Sequence, residues 1–371
     1  MIEQVKTAYR FLLVMGLGGL LLTLSLFVPV LSSSTDFSIY NTDWNGCSDL
    51  GRTVYGTGTF MPTIDISSSS RELIVHTSLP DLEGRLDPMT SAMMVIGPDE
   101  PFTPEEGDFI HRFLTSGGRL LVADDFGEGN GLLSMLNTTT SLTGSKMLDL
   151  SFMRTGDFSV ASDMAEHPLT DGVSMLLLNH PSTIIPGPRA TALVNSSSAS
   201  WLDLDGDYAL GPDEPSGPFP LLTVEPYGKG ELMVLSEPSI LINQMQGRMN
   251  DSVLVRNIVD HLTEGREDLV MDESHRDLTD PVQVMNVYVG SLDPRLKWGV
   301  VATSVVLFTV INTPFLSKAR AVMERLLKRL LGGEEPPHRT VGSIFEEVQR
   351  THPDWDARTL SRIRASIGER T

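Results

Sequence analysis

The chain has 371 residues, with 28 Lys and Arg against 48 Asp and Glu for a formal net charge of −20, and it contains one cysteine. So anionic a chain repels phosphate, which argues against nucleic acid as a partner. A lone cysteine excludes an intramolecular disulfide framework and a cysteine-based zinc cluster. The length is enough to bury a proper core in one large or two ordinary domains.

In chain order, the first feature is Phe11 to Leu31, which holds no charged residue and is long enough to cross a hydrocarbon layer of about 30 Å as a helix. Phe37 to Tyr40 reads as a short strand, Asn41 to Gly46 as a polar loop of turn formers, and a weak helix starts at Ser48. Glu72 to His76 is a second strand, followed by a short helix or turn from Asp81 to Leu86. Met93 to Ile96 and Leu120 to Ala123 are apolar without alternation, as strands covered on both faces of a parallel sheet should be.

The helix between those two runs is well punctuated. Thr103 can cap it, Pro104 takes the first helical position, and Glu106 completes a capping box. Phe109, Ile110, Phe113 and Leu114 share one stripe, and Gly117 and Gly118 provide the exit. A strand, helix and strand of this length form a right-handed parallel crossover, and open sheets built this way hold ligands beyond the carboxyl ends of their strands.

A helix opens near Gly131. Met175 to Leu178 and Thr191 to Val194 are strand-like, and Pro220 to Val224 with Glu231 to Leu235 flank a hairpin turn. Leu254, Val255, Ile258, Val259 and Leu262 give one face of a helix from Asp251 to Leu262. Glu264 to Arg295 reads as a polar linker, and Trp298 to Leu316 is a second charge-free run. Beyond it come a basic amphipathic stretch and two short helices broken at His352 and Pro353.

The flanking charges set an expected topology. Lys6 and Arg10 precede the first run, and five basic residues from Lys318 to Arg329 follow the second, which places both termini in the cytoplasm. The expected organisation is a cytoplasmic N-terminus (1–10), a first span (11–31), an outer α/β domain (32–263), a linker (264–296), a second span (297–316) and a cytoplasmic helical tail (317–371). Residues 32–296 would lie outside, with a net charge of −25 from 14 basic and 39 acidic residues.

Three groups of residues carry candidate chemistry. Asn41, Asp43, Asp99, Glu100, Asp124 and Asp125 fall near the strand ends and would form an acidic, ligand-binding crevice. Asp203, Asp205, Asp207 and Glu214 have calcium-loop spacing, with the glycine misplaced, so calcium is the one candidate cofactor. Asp272, Glu273 and His275 precede the second apolar run, and a histidine beside carboxylates can serve as a ligand or a base.

The segment from Met93 to Asp125, with Glu225 to Met245 and Ser252 to Leu262, resembles class I glutamine amidotransferase-like domains. The likeness is to an uncharacterised membrane-anchored branch similar to auxiliary proteins of gliding-motility-type transporters. It implies a doubly wound, mostly parallel sheet flanked by two transmembrane helices. It also implies a role as an accessory component of an envelope assembly or transport system, in contact with the membrane and with a protein partner. In that alignment the catalytic cysteine position falls on Asp124, which cannot form a thioester. The expectation is therefore a non-catalytic domain that binds a ligand or partner. A metal-assisted hydrolase using Asp124 or Asp125 with His275, and a purely structural spacer, are the alternatives.

Overall fold

The computed structural model describes residues 32–55, 72–76, 78–150, 158–277, 279–312 and 341–368, together with Gly18, Gly19 and Arg325. Two compact units are distinguished, one formed by residues 14–305 and the other by residues 1–13 with 306–371.

In the larger unit the strands are β1 (Glu72–His76), β2 (Ser91–Ile96), β3 (Arg119–Ala123), β4 (Ser141–Leu142), β5 (Lys146–Asp149), β6 (Phe158–Met164), β7 (Leu176–Asn179), β8 (Ile184–Ile185), β9 (Thr191–Ser196), β10 (Ser200–Asp203), β11 (Pro220–Tyr227), β12 (Gly230–Leu235) and β13 (Asp268–Asp272). Nine of them form one sheet in the order β1-β13-β2-β3-β12-β11-β9-β6-β7. The pairs from β1 to β12 are parallel and those from β12 to β7 are antiparallel.

The helices are α1 (Ser48–Tyr55), α2 (Pro104–Ser116), α3 (Gly129–Met135), α4 (Asp251–Thr263), α5 (Pro281–Ser291) and α6 (Pro294–Asn312). Alternate strand residues feed two separate cores. Met93, Val95, Leu120 and Val122 pack with Phe109, Ile110, Phe113 and Leu114 of α2 and with Leu132 and Leu133 of α3. Met94, Ile96, Leu121 and Met233 pack on the opposite face with Leu50 and Val54 of α1 and with Leu254, Ile258 and Leu262 of α4. The predicted capping box is present: Thr103 N–H donates to Glu106 Oε2 at 2.8 Å, and the Thr103 side chain accepts from Glu106 N–H at 3.3 Å.

Several expectations are corrected. The expected doubly wound, mostly parallel sheet flanked by membrane helices is corrected: helices cover both faces, but the sheet is mixed, with five strands in the parallel half and four in the antiparallel half. Among the described residues no helix is long and apolar enough to cross a membrane. The expected first span, 11–31, lies outside the described residues except for Gly18 and Gly19. Over the expected second span the helix is α6, and its first turn carries Arg295 and a buried Lys297 whose Nζ donates to Gly290 O at 3.0 Å. A two-span membrane protein with residues 32–296 outside is therefore not supported.

Phe37 to Tyr40 is a pair of turns, not a strand, with Phe37 at φ 57°. The stretch read as a linker contains β13, which lies between β1 and β2 inside the parallel half, and α5. In the smaller unit, α7 (Val341–Thr351) and α8 (Ala357–Gly368) flank the expected break, where His352 stacks on Trp355.

Candidate functional site

The parallel half brings the carboxyl ends of β13, β2, β3 and β12 side by side, so the residues that follow each strand meet at one edge of the sheet. After β3 comes Asp124, only 1% exposed. Its two oxygens accept the N–H groups of Gly127 at 3.1 Å and Gly129 at 2.8 Å, which brackets the loop that starts α3. A Cβ at position 129 would lie 2.6 Å from that carboxylate, so glycine is required. Burial pushes the Asp124 carboxyl up while the amide donors oppose it. Both oxygens being engaged, Asp124 presents no free group to a substrate.

Its neighbour Asp125 is pushed up to about 6 by burial first, with a contribution from the Asp124 charge. Glu237, two residues beyond β12, is fully buried. One of its oxygens accepts Ser239 N–H at 2.9 Å, and Oε2 has no hydrogen-bond partner. Burial, then the nearby Asp125, raises its carboxyl well above the ordinary range.

The segment after β13 folds over the strand ends. Glu273 is fully buried and accepts Ile39 N–H at 2.8 Å and Gln283 Nε2 at 2.7 Å. Arg276, 1% exposed, places its Nε 3.7 Å from Glu273 Oε2 and donates to the carbonyls of Ile96, Gly97 (2.8 Å) and Phe37 (3.3 Å). Cys47 sits near this pair, and burial pushes its thiol up to about 12, so it is an inert core thiol.

His275 stacks on Phe102 with ring centroids 3.7 Å apart. Its Nδ1 lies 2.8 Å from Asp272 Oδ2 and its Nε2 3.3 Å from Glu106 Oε2. Burial works against charge on both His275 and Asp272. Their mutual hydrogen bond and attraction outweigh it, raising the imidazole and holding Asp272 below the usual carboxylate range.

Beside this segment opens a cleft of about 630 Å³ with five carboxylates in its lining, from Asp36, Asp99, Glu100, Asp277 and Asp280, together with Phe37. Among the described residues no Lys, Arg or His lines it. Asp99 and Glu100 are exposed, and their N–H groups donate to the His275 carbonyl at 2.8 and 3.4 Å. Asp280 caps α5, and the Ser34 N–H bond at 2.8 Å holds its carboxyl below the ordinary range.

The predicted residues thus separate. Asp99 and Glu100 reach the cleft; Asp124 and Asp125 belong to the α3 loop; Asp272, Glu273 and His275 are consumed in internal contacts. Asn41 is buried and braces its own loop through Thr35 O at 2.9 Å and Asn45 at 3.1 Å, whereas Asp43 is exposed and does not line the cleft.

In the second predicted group, Asp203, Asp205 and Glu214 bring carboxylate oxygens within 4.8 Å of one another. Each also accepts local backbone N–H groups: Asp203 from Gly206, Asp205 from Asp207, and Glu214 from Leu204 and Gly211. Asp207 instead accepts from Ala209 N–H at 2.8 Å. The sequence reading missed Arg276, Gln283 and Glu237. The one available signal was a lone arginine in an acidic stretch, Asp272 to Asp277.

Residues 39–259 match a family described as "Domain of unknown function (DUF4350)". An "Uncharacterized protein in nifH1 5'region" of Methanothermococcus thermolithotrophicus is 27% identical over 109 residues, covering 29% of this chain and 93% of that protein. Among solved structures, the "mmIFT52 N-terminal domain" is 18% identical with a TM-score of 0.40, covering 51% of this chain and 81% of that one. "Cytoplasmic Protein STM3548 from Salmonella typhimurium" is 15% identical with a TM-score of 0.38, covering 59% of this chain and 87% of that one. The family match corrects the expected likeness to a membrane-anchored glutamine amidotransferase-like branch.

Proposed function

The chain belongs to the DUF4350 family, a domain of unknown function, and from that premise we propose that it is a non-catalytic recognition domain whose acidic cleft takes a cationic segment of a protein partner. The observation that carries this reading is the lining of the cleft, five carboxylates with no cationic side chain among the described residues there. Such a concavity attracts lysine or arginine side chains and repels anions.

The hydrolase alternative finds no support in the geometry. Both oxygens of Asp124 are committed to backbone amides, and both ring nitrogens of His275 face carboxylates of the fold.

The test is calorimetric titration of the full chain with a short oligolysine peptide, at low salt and again near 1 M salt, where the Debye length falls to about 3 Å. The expected result is salt-sensitive binding that weakens about three- to tenfold when Asp99→Asn and Glu100→Gln are combined, the size set by two exposed charge pairs. Asp43→Asn, an exposed carboxylate away from the cleft, should leave it unchanged. Equal losses in both variants would reduce the attraction to net charge and overturn the reading.

A further inference from the structure

We propose that His275 is a proton-operated clasp that fastens the segment after β13 to the N-terminus of α2 and thereby shapes the loop from Gly97 to Thr103. The argument starts from counting protons. Asp272 and Glu106 approach opposite nitrogens of one imidazole ring, and an ionised carboxylate can only accept. A neutral ring carries a single N–H and can satisfy one of them, whereas the imidazolium satisfies both.

The side chains of His275, Asp272 and Glu106 are 6%, 2% and 13% exposed, so water does little to replace a lost partner. The charged groups that face the ring are Asp272 from β13 and Glu106 from α2. Phe102, from the loop before α2, covers one ring face, and Ser274 lies 3.2 Å from Nδ1; neither titrates. Arg276, the next residue, is directed away toward the carbonyls of Ile96, Gly97 and Phe37.

The geometry also says which contact lets go. Nδ1 to Asp272 is 2.8 Å while Nε2 to Glu106 is 3.3 Å, so the one proton of a neutral ring stays on the Asp272 side. Glu106 retains its capping-box bonds to Thr103 and α2 keeps its start. What is lost is the tie between α2 and the segment after β13. The loop that carries Asp99 and Glu100 hangs from the main chain of His275, so releasing the ring loosens that loop. Because the folded-state value of this histidine is raised, the clasp is fully closed below the ordinary histidine value and opens as pH rises through the raised one. The consequence for binding rests on the reading of the cleft as the recognition site; the clasp itself does not.

The experiment is hydrogen exchange of the peptide spanning Gly97 to Glu106 in the full chain, from pH about 5 to about 9 and corrected for the intrinsic rate, with oligolysine binding measured in parallel. Protection is expected to fall as pH rises, by about tenfold for each unit by which folding raises the histidine. Glu106→Gln keeps the capping box, since Gln serves at that position, and is expected to move the fall to lower pH. His275→Gln is expected to give low, pH-independent protection. Should that variant not fold, Glu106→Gln decides alone. Protection that is flat in the wild type, or a midpoint unmoved by Glu106→Gln, overturns the clasp. Peptide affinity that follows the midpoint supports its gating of the cleft, and affinity indifferent to it overturns the gating. Absence of peptide binding at every pH, with the exchange transition intact, overturns the cleft reading while upholding the clasp.

Discussion

Two places among the described residues hold buried carboxylates in different company. At the end of β13, Glu273 meets Arg276 and Asp272 meets His275, so each buried anion has a cation and several donors. Beyond β12, Glu237 and Asp251, both 0% exposed, each leave one oxygen without a partner, Oε2 and Oδ2. Asp272 accordingly stays below the usual carboxylate range while Asp251 is pushed up to about 8. Burial raises Glu273 as well, with Arg276 opposing it, and Arg248 opposes the rise at Asp251; what sets Asp272 apart is the hydrogen bond and charge of His275, which outweigh its burial.

The largest expected effect comes from removing the cation at the first place. Arg276→Met leaves Glu273 buried without its cation and frees the carbonyls of Gly97 and Phe37, which should cost about 3–5 kcal/mol. Adding Glu273→Gln should recover more than half, because the uncompensated charge is then gone. Urea denaturation of the single and double variants measures both. A single-variant loss under about 1 kcal/mol would show that the pair carries no such weight.

Next in size is Asp124→Ala, which strips the acceptor from the N–H groups of Gly127 and the buried Gly129 and should cost about 2 kcal/mol. Asp124→Asn keeps one acceptor oxygen and should cost less. If the two variants are equally destabilised, the bracket around α3 is not held by those bonds.

Much of the parallel half could be read from the sequence, and the reason is physical. Strands β2, β3 and β12 are covered on both faces and must be continuous apolar runs, while Thr103, Pro104 and Glu106 carry a local signal for α2. β13 escaped because its five residues, Asp268 to Asp272, hold three apolar side chains between acidic ends. Its strand character is tertiary, fixed by parallel registers such as Leu73 with Leu269 and Met93 with Val270 on its two sides. Phe37 to Tyr40 failed in the other direction: its apolar content suggested a strand, but Phe37 takes a positive φ so that the chain can turn under the Arg276 guanidinium. In the candidate site, Asp272, Glu273 and His275 stood out by composition. Glu237 could not, since nothing in Ser236-Glu237-Pro238 reveals complete burial.

At the second place the expected change has the opposite sign. The folded state favours the neutral form of Asp251, so its contribution is full below the ordinary value near 3.9 and is lost as pH rises toward about 8. Asp251→Asn never ionises and keeps an oxygen for Leu177 N–H, now bound at 3.0 Å. The variant should gain about 1 kcal/mol, or roughly 2–4 °C in Tm, at the alkaline end and nothing near pH 4. Thermal scans across that range check it, and a gain that does not depend on pH would remove proton linkage as the cause.

The smallest expected effect supplies the zero of the scale. Arg112 and Glu83 form the same chemical pair as Arg276 and Glu273, with a closer contact of 3.0 Å, but their side chains are 52% and 59% exposed. Water solvates either charge when the other is removed, and holding two long side chains together costs entropy, so Glu83→Gln should change stability by under about 0.5 kcal/mol. Glutamine retains the stem, which leaves packing against Arg112 in place and isolates the charge. Even that small effect should vanish near 1 M salt, where screening reaches about 3 Å, while the Arg276→Met loss should persist because its ions lie beyond the reach of salt. A surface pair that proved as costly to break as the buried one would mean that distance, not burial, governs these ions, and the contrast between the two buried places would lose its explanation.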